Sequence, residues 1–513
     1  MLDLKQREVY GMKRETFGSR LGFILVSAGC AVGIGNVWKF PYMCGQFGGA
    51  AFILIYLVFL LIMGIPVMVC EFGVGRASRH SVAAAYETLE PKGTKWHITK
   101  WIGVIGCYFL MMFYTTVGGW MLYYCVRSFR GDFVGADMKT VSAGFSDMLG
   151  NMPLMTFWTI LISIIGFGVC AFGIQKGIEK VSKFMMTALL LIMIVLAIHS
   201  VMMKGAGAGI RFYLIPDFRQ MAEIGIGNVI FGAMSQAFFT LSIGIGAMLI
   251  FGSYMEKDQR LFGEAVNITV LDTIVALMAG FIIIPACFAY GIEPGAGPSL
   301  IFITIPNIFA QVAGGRVWGG LFFLFLSFAA FTTLVAVFEN IISFDMDLFG
   351  WSRKKSTLVS LILIIILSMP CVMGFNVLAG FTPLGEGSTI MDLEDFIVSN
   401  NLLPLGSLGY VLFCTKKNGW GWNSFLEEIN QGEGWKFPAG IKGYMSYGLP
   451  LLIIIMRYVL PMIVLVIYFK GYYDKFQPMG TKTLIGWMIV AFLFLAFVIG
   501  CSCGKSTAEK VDK

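Results

Sequence analysis

Oxygen-bearing side chains flank two Gly-Ile-Gly tripeptides, one in Ser27-Ala-Gly-Cys-Ala-Val-Gly33-Ile34-Gly35-Asn36 and one in Phe238-Phe-Thr240-Leu-Ser242-Ile-Gly244-Ile245-Gly246. Asn36, Thr240 and Ser242 offer amide and hydroxyl oxygens, the ligands a hard cation takes. Each tripeptide interrupts an apolar stretch. A helix unwound inside a membrane frees amides and carbonyls, which is tolerable only where protein, ion or substrate receives them. Lone glycines also serve close helix packing. Paired interruptions with polar neighbours point instead to the binding site of a secondary transporter.

Asp272 lies inside another apolar run. A carboxylate there is expensive and by default functional. It is either the fixed counter-charge of a cation or a protonated acid hydrogen-bonded within a bundle, and such a proton is available for counter-transport. Thr332 and Thr333 carry less weight alone, because membrane-helix threonines commonly bond back to a carbonyl one turn earlier.

Positioning these groups requires spans. Of 513 residues 57% are hydrophobic and 13% charged, and the mean hydropathy is +0.80, which makes the chain an integral membrane protein. Apolar runs of about 20 residues, the length a bilayer requires, recur from end to end. They predict an all-α protein of twelve membrane helices, near 18–42, 49–75, 100–128, 153–173, 183–203, 227–254, 263–290, 317–344, 356–374, 390–414, 446–470 and 482–503. The longest connections, 129–152 and 415–445, are too short for a separate domain, so 1–513 reads as one transmembrane transporter domain.

Lys5, Arg7, Lys13 and Arg14 precede the first span, Arg76, Arg79, Lys92 and Lys95 follow the second, and Arg353, Lys354 and Lys355 precede the ninth. Twelve spans put all three groups on one side, so the positive-inside rule predicts a multi-pass plasma-membrane protein with both termini cytoplasmic. The net charge of +7 then needs no nucleic-acid partner. The polar start predicts no cleaved signal peptide. Most of the eleven cysteines fall inside spans and none in 129–152, which favours free thiols. The sequon at Asn267 falls within the seventh span.

Arg20-Leu-Gly followed by Gly33-Ile-Gly-Asn36-Val-Trp38-Lys39-Phe-Pro41 resembles the first-span signature of the neurotransmitter:sodium symporters. The resemblance continues through Gly64-Ile-Pro66, Glu71-Phe-Gly-Val-Gly-Arg76, Tyr114 ahead of Gly119-Trp120, Ser235-Gln-Ala-Phe-Phe239-Thr-Leu-Ser242, Ala310-Gln-Val-Ala-Gly-Gly315 and Asp392-Leu-Glu-Asp395-Phe. It implies an inverted five-plus-five repeat, about 17–203 and 227–415, with broken helices 1 and 6 and two extra helices at about 446–503. It also implies a sodium-coupled symporter that works by alternating access and is no enzyme. The short external loop, without cysteines or a usable sequon, suggests a bacterial amino-acid transporter of the inner membrane.

The resemblance implies two sodium ions. The first would be held by Ala31, Asn36, Thr240 and Asp272 with the substrate carboxylate, the second by the Gly29, Val32 and Ala329 carbonyls with Thr332 and Thr333. Asp272 stands where relatives usually carry asparagine, beside the chloride-pocket positions Tyr56 and Gln236, so chloride is expected to be dispensable. The Ile34 and Gly35 amides with Tyr114 would take the carboxylate of an amino acid, and Ala31, Phe239, Thr240 and Ser242 its ammonium. Leu110, Phe239, Ile245 and Val337 would line the side-chain pocket, and Cys30 and Thr333 complete the set. Gly33 replaces the aspartate of monoamine transporters, and the apolar lining favours an apolar, including aromatic, L-amino acid.

By the same resemblance Lys39 and Asp395 form the external gate, and Arg14 and Asp347 with Tyr254 the internal one, where Phe17 replaces a usual tryptophan. Lysine lacks the two-pronged planar contact of arginine, so a looser outer latch is expected. Thr187 stands where relatives place proline, which predicts a fifth span that unwinds less readily. An ion channel and a sodium-dependent amino-acid-sensing receptor on the same scaffold remain alternatives, and a homodimer is left open.

Overall fold

Lipid offers no partner to a peptide group, so a chain this apolar satisfies its backbone locally. The computed structural model describes residues 14–292, 300–438 and 451–502, and among these there are helices and no strand. The ten helices of membrane length and the four pieces flanking the interruptions are α1 (Arg20–Ala31), α2 (Gly35–Gln46), α3 (Ala50–Ser78), α4 (Trp96–Arg130), α5 (Met152–Ala171), α6 (Ile174–Val201), α7 (Ile226–Thr240), α8 (Ala247–Ser253), α9 (Leu261–Ala289), α10 (Gly315–Phe349), α11 (Arg353–Met373), α12 (Ile390–Thr415), α13 (Ile455–Met479) and α14 (Thr481–Ser502).

Ten of these helices are long and apolar enough to cross a bilayer, and α1 with α2 makes an eleventh candidate bent by 56°. α7 and α8 occupy the predicted span 227–254 and are separated by the non-helical residues 241–246. Residues 446–450 of the predicted eleventh span and 439–445 of the connection before it lie outside the described residues.

Burial sorts the helices. In α10 and α12, 83% of the most apolar stretch is buried, against 22% in α14, so the first two form the interior and the last leaves its apolar surface exposed. α10 packs along α4 and also touches α1, α5, α6, α8 and α11. α8 sits backbone to backbone on α3, because Gly75 has no side chain to hold Leu249 away. Ten described cysteines are buried and unpaired, as expected.

Candidate functional site

The two interruptions face each other across the interior. At the first, α1 ends at Ala31, and the Ile34 amide donates to the Tyr114 hydroxyl at 3.0 Å. Gly33 lies so close to that hydroxyl and to Thr333 Oγ1 that an added Cβ would collide with both. Phe239 covers Gly35, where a Cβ would come within 2.9 Å of its ring. At the second interruption Ser242, Gly244 and Gly246 take φ of 51°, 110° and 79°, a left-handed run that tightens the turn and suits glycine.

One buried carboxylate holds this second turn. Glu71 accepts from the Gly244 amide and, through Oε2, from Met248 (3.2 Å) and Leu249 (3.4 Å) at the start of α8. It thereby satisfies the orphan N–H groups of a helix whose dipole favours negative charge. In the sequence Glu71 stands out only as part of the Glu71–Arg76 motif, with no role assigned. Its signal was an acid inside an apolar run.

Asp272, fully buried, joins the two interruptions. Its Oδ1 accepts from Asn36 Nδ2 at 2.8 Å and its Oδ2 from Thr240 Oγ1 at 3.1 Å, while its carbonyl takes a longer bond of 3.2 Å from Asn36 Nδ2. No ion pair among the described residues involves it. Its donors are neutral, so no resident cation balances its charge when it is ionised, and a cation placed there would do so. Ala31 is buried close by in sequence at the end of α1. At the neighbouring positions Gln236 Nε2 donates to the Gly35 carbonyl at 3.1 Å, and the Tyr56 hydroxyl is buried without a hydrogen-bond partner.

A second oxygen cluster surrounds Thr333. Its hydroxyl lies 3.3 Å from the Gly29 carbonyl, 3.2 Å from Cys30, 3.5 Å from Val32 and 3.4 Å from Ala329. One hydroxyl proton cannot satisfy four carbonyls, so the group is rich in unspent acceptors, which suits a hard cation. The Thr332 hydroxyl instead bonds back along α10, 3.1 Å from both the Phe328 and Ala329 carbonyls.

Of the predicted pocket lining, Ile245 packs on Gly106 and its carbonyl accepts from Cys107 Sγ at 3.6 Å. Ser242 Oγ donates to the Cys30 carbonyl at 3.5 Å. Leu110 and Val337 are buried on α4 and α10.

The gate residues divide. Lys39 and Asp395 form no direct ion pair: Lys39 Nζ sits 3.7 Å from the centre of the Phe239 ring, and Asp395 accepts from Ser399 Oγ at 2.7 Å. Arg14 does meet Asp347, Nη1 donating at 3.1 Å and 3.3 Å, and its guanidinium lies over Tyr254 at 5.0 Å. Burial opposes the Arg14 charge, yet the attraction of Asp347 leaves its pKa raised above the ordinary value.

Three further charges extend this latch. Tyr254 donates to Glu339 Oε1 at 2.6 Å, Arg353 donates to both Glu339 oxygens at 2.6 Å and 2.9 Å, and Glu15 pairs with Arg353 Nε at 3.2 Å. Sequence reasoning counted Arg353 only as a topogenic charge and missed Glu15 and Glu339. Thr187 bonds back to the Lys183 carbonyl at 2.8 Å within α6, which is helical through that point after a π-type turn at Ile174–Glu179.

The model of the sodium:neurotransmitter symporter family matches residues 14–139 and 132–504. The sodium-dependent transporter YhdH of Bacillus subtilis is 34% identical over 453 residues, 88% of this chain and 96% of that one. The sodium-dependent serotonin transporter of Drosophila melanogaster is 28% identical over 433 residues, 74% of this chain and 68% of that one. The crystal structure of MhsT in complex with L-phenylalanine superposes with a TM-score of 0.78 at 36% identity, covering 90% of this chain and 100% of that one.

Proposed function

The chain belongs to the sodium:neurotransmitter symporter family, whose members are membrane transporters and not enzymes, and from that premise we propose that it is a symporter in which two sodium ions drive import of an apolar or aromatic L-amino acid without chloride. The observation that carries this reading is the Asp272 carboxylate, bonded to Asn36 from one interruption and Thr240 from the other. A cation at that point draws the two interruptions together. A substrate carboxylate beside it links ion and amino acid energetically, which is what coupled transport requires.

The first sodium takes oxygens of Ala31, Asn36, Thr240 and Asp272; the second takes the carbonyls of Gly29, Val32 and Ala329 with Thr333 and, after rotation of its hydroxyl, Thr332. The amide N–H groups of Ile34 and Gly35 and the Tyr114 hydroxyl receive the amino-acid carboxylate. Leu110, Phe239, Ile245 and Val337 enclose the side chain, and the L-phenylalanine of the MhsT complex supports an aromatic occupant. A Gly33 too crowded for any side chain supports a substrate that brings its own carboxylate.

In this reading α1 with α2 and α7 with α8 are the broken first and sixth of twelve spans, related by inverted repeats over 17–203 and 227–415, with α13 and α14 outside them. Both termini are cytoplasmic, in a bacterial inner membrane, and the Arg14–Asp347 latch closes the inner side. Lys39 over Phe239 forms the lid on the outer side, and Asp395 captures Lys39 when that lid shifts. Sodium and substrate bind the outward-open state first, then favour closure of the lid and release of the inner latch. Labelled phenylalanine uptake into proteoliposomes under an inward sodium gradient tests the proposal; accumulation supports it, and sodium-independent equilibration refutes it.

A further inference from the structure

Glu394 of α12 is used by none of these steps. It is 2% exposed, and its carboxylate oxygens make no hydrogen bond of good geometry among the described residues. Its part of α12, Ile390–Ile397, packs on α4 and on α11. From α11 the weakly donating Cys371 thiol is its side-chain neighbour, and that thiol also meets Thr116 of α4. Trp120 Nε1, one turn beyond Thr116 on α4, is buried without a hydrogen-bond partner among the described residues.

The other titratable groups around this contact are occupied. Asp392 accepts from the Thr389 amide at 2.7 Å, and Asp395 from Ser399 at 2.7 Å. Tyr472 of α13, packed against Phe396, donates to Asn401 Oδ1 at 2.5 Å. No Lys, Arg or His pairs with Glu394 among the described residues. An ionised carboxylate with one weak thiol donor and no counter-charge costs several kcal/mol in such a place, and the group takes a proton instead.

We infer that Glu394 is a proton-binding site tied to the outer gate, protonated while α12 packs on α4 and α11 and releasing its proton to external water when that contact opens. The step is a simple dissociation, carboxylic acid to carboxylate plus a proton taken by water. Glu394 directly precedes Asp395, so the movement that hands Asp395 to Lys39 also hydrates Glu394. This goes beyond the symport reading but rests on its assignment of sodium to the outward-open state. Linkage then requires sodium binding to expel the proton and external acid to oppose sodium.

The test is proton release from the purified full chain in weakly buffered detergent solution, read with an indicator dye on adding sodium against choline, beside sodium-dependent phenylalanine binding. Wild type is expected to release up to about one proton per chain, and Glu394→Gln to release none of it while still binding phenylalanine. An infrared difference spectrum of wild type should lose a protonated-carboxyl carbonyl band on sodium addition, a change retained in Asp272→Asn and missing in Glu394→Gln. Undiminished release from Glu394→Gln, or no such band change in wild type, overturns the inference, and the wild-type spectrum decides even if the variant fails to fold. Absence of phenylalanine binding by wild type would count against the symport reading, whereas binding without proton release counts against this one.

Discussion

Asn36 and Asp272, 236 positions apart, meet through a 2.8 Å hydrogen bond from amide nitrogen to carboxylate oxygen. That bond, with the one from Thr240, makes a single buried charge the junction of the two interruptions. Asp272→Asn keeps the shape and removes the charge. Chloride-free sodium affinity should fall at least about tenfold, a change of about 1.4 kcal/mol, and added chloride should restore part of it. Phenylalanine binding titrated with sodium, in chloride and in gluconate, reads both effects.

Thr333 offers a cleaner test of the second cluster, because valine is nearly its isostere. Thr333→Val leaves the carbonyls of Gly29, Cys30, Val32 and Ala329 around a methyl group. A lost oxygen ligand should raise the sodium concentration for half-maximal uptake about tenfold or more, and an unchanged value would remove Thr333 from the ion site.

Gly33→Ala should abolish amino-acid binding with little loss of folded protein, since the new methyl displaces the Tyr114 and Thr333 hydroxyls. Size-exclusion profiles and equilibrium binding, measured on the same preparation, separate the two effects.

Lys39→Ala removes the cation from the Phe239 ring. A contact of this type is worth about 0.5–2 kcal/mol, so bound phenylalanine should dissociate about 2- to 30-fold faster. A filter-binding chase measures the rate.

The inner latch makes a stability prediction. Arg353→Met leaves Glu339, fully buried, without its bidentate partner, and breaking such a pair costs about 3–5 kcal/mol. The thermal midpoint should drop sharply, and the double variant with Glu339→Gln should recover part of the loss.

What the sequence made legible follows from range. Span positions depend on runs of apolar residues, and α3, α5, α9 and α11 begin within a few residues of the expected positions. The glycine interruptions were visible for the same reason, being local and chemically abrupt. Glu71 on the Gly244 turn, Glu15–Arg353–Glu339 and Lys39 over Phe239 were not, because each partner lies far along the chain or on another helix face. The failure of Lys39 to meet Asp395 is of the same kind: an aromatic face and a nearby serine compete locally for the two charges.

The central claim is that sodium, balanced by Asp272, drives an apolar amino acid uphill without chloride. The most direct measurement is labelled L-phenylalanine accumulation in proteoliposomes under an inward sodium gradient, with gluconate as the sole anion. The account predicts accumulation above equilibrium that collapses when sodium is equalised across the membrane. Accumulation that requires chloride, or uptake indifferent to sodium, would contradict it.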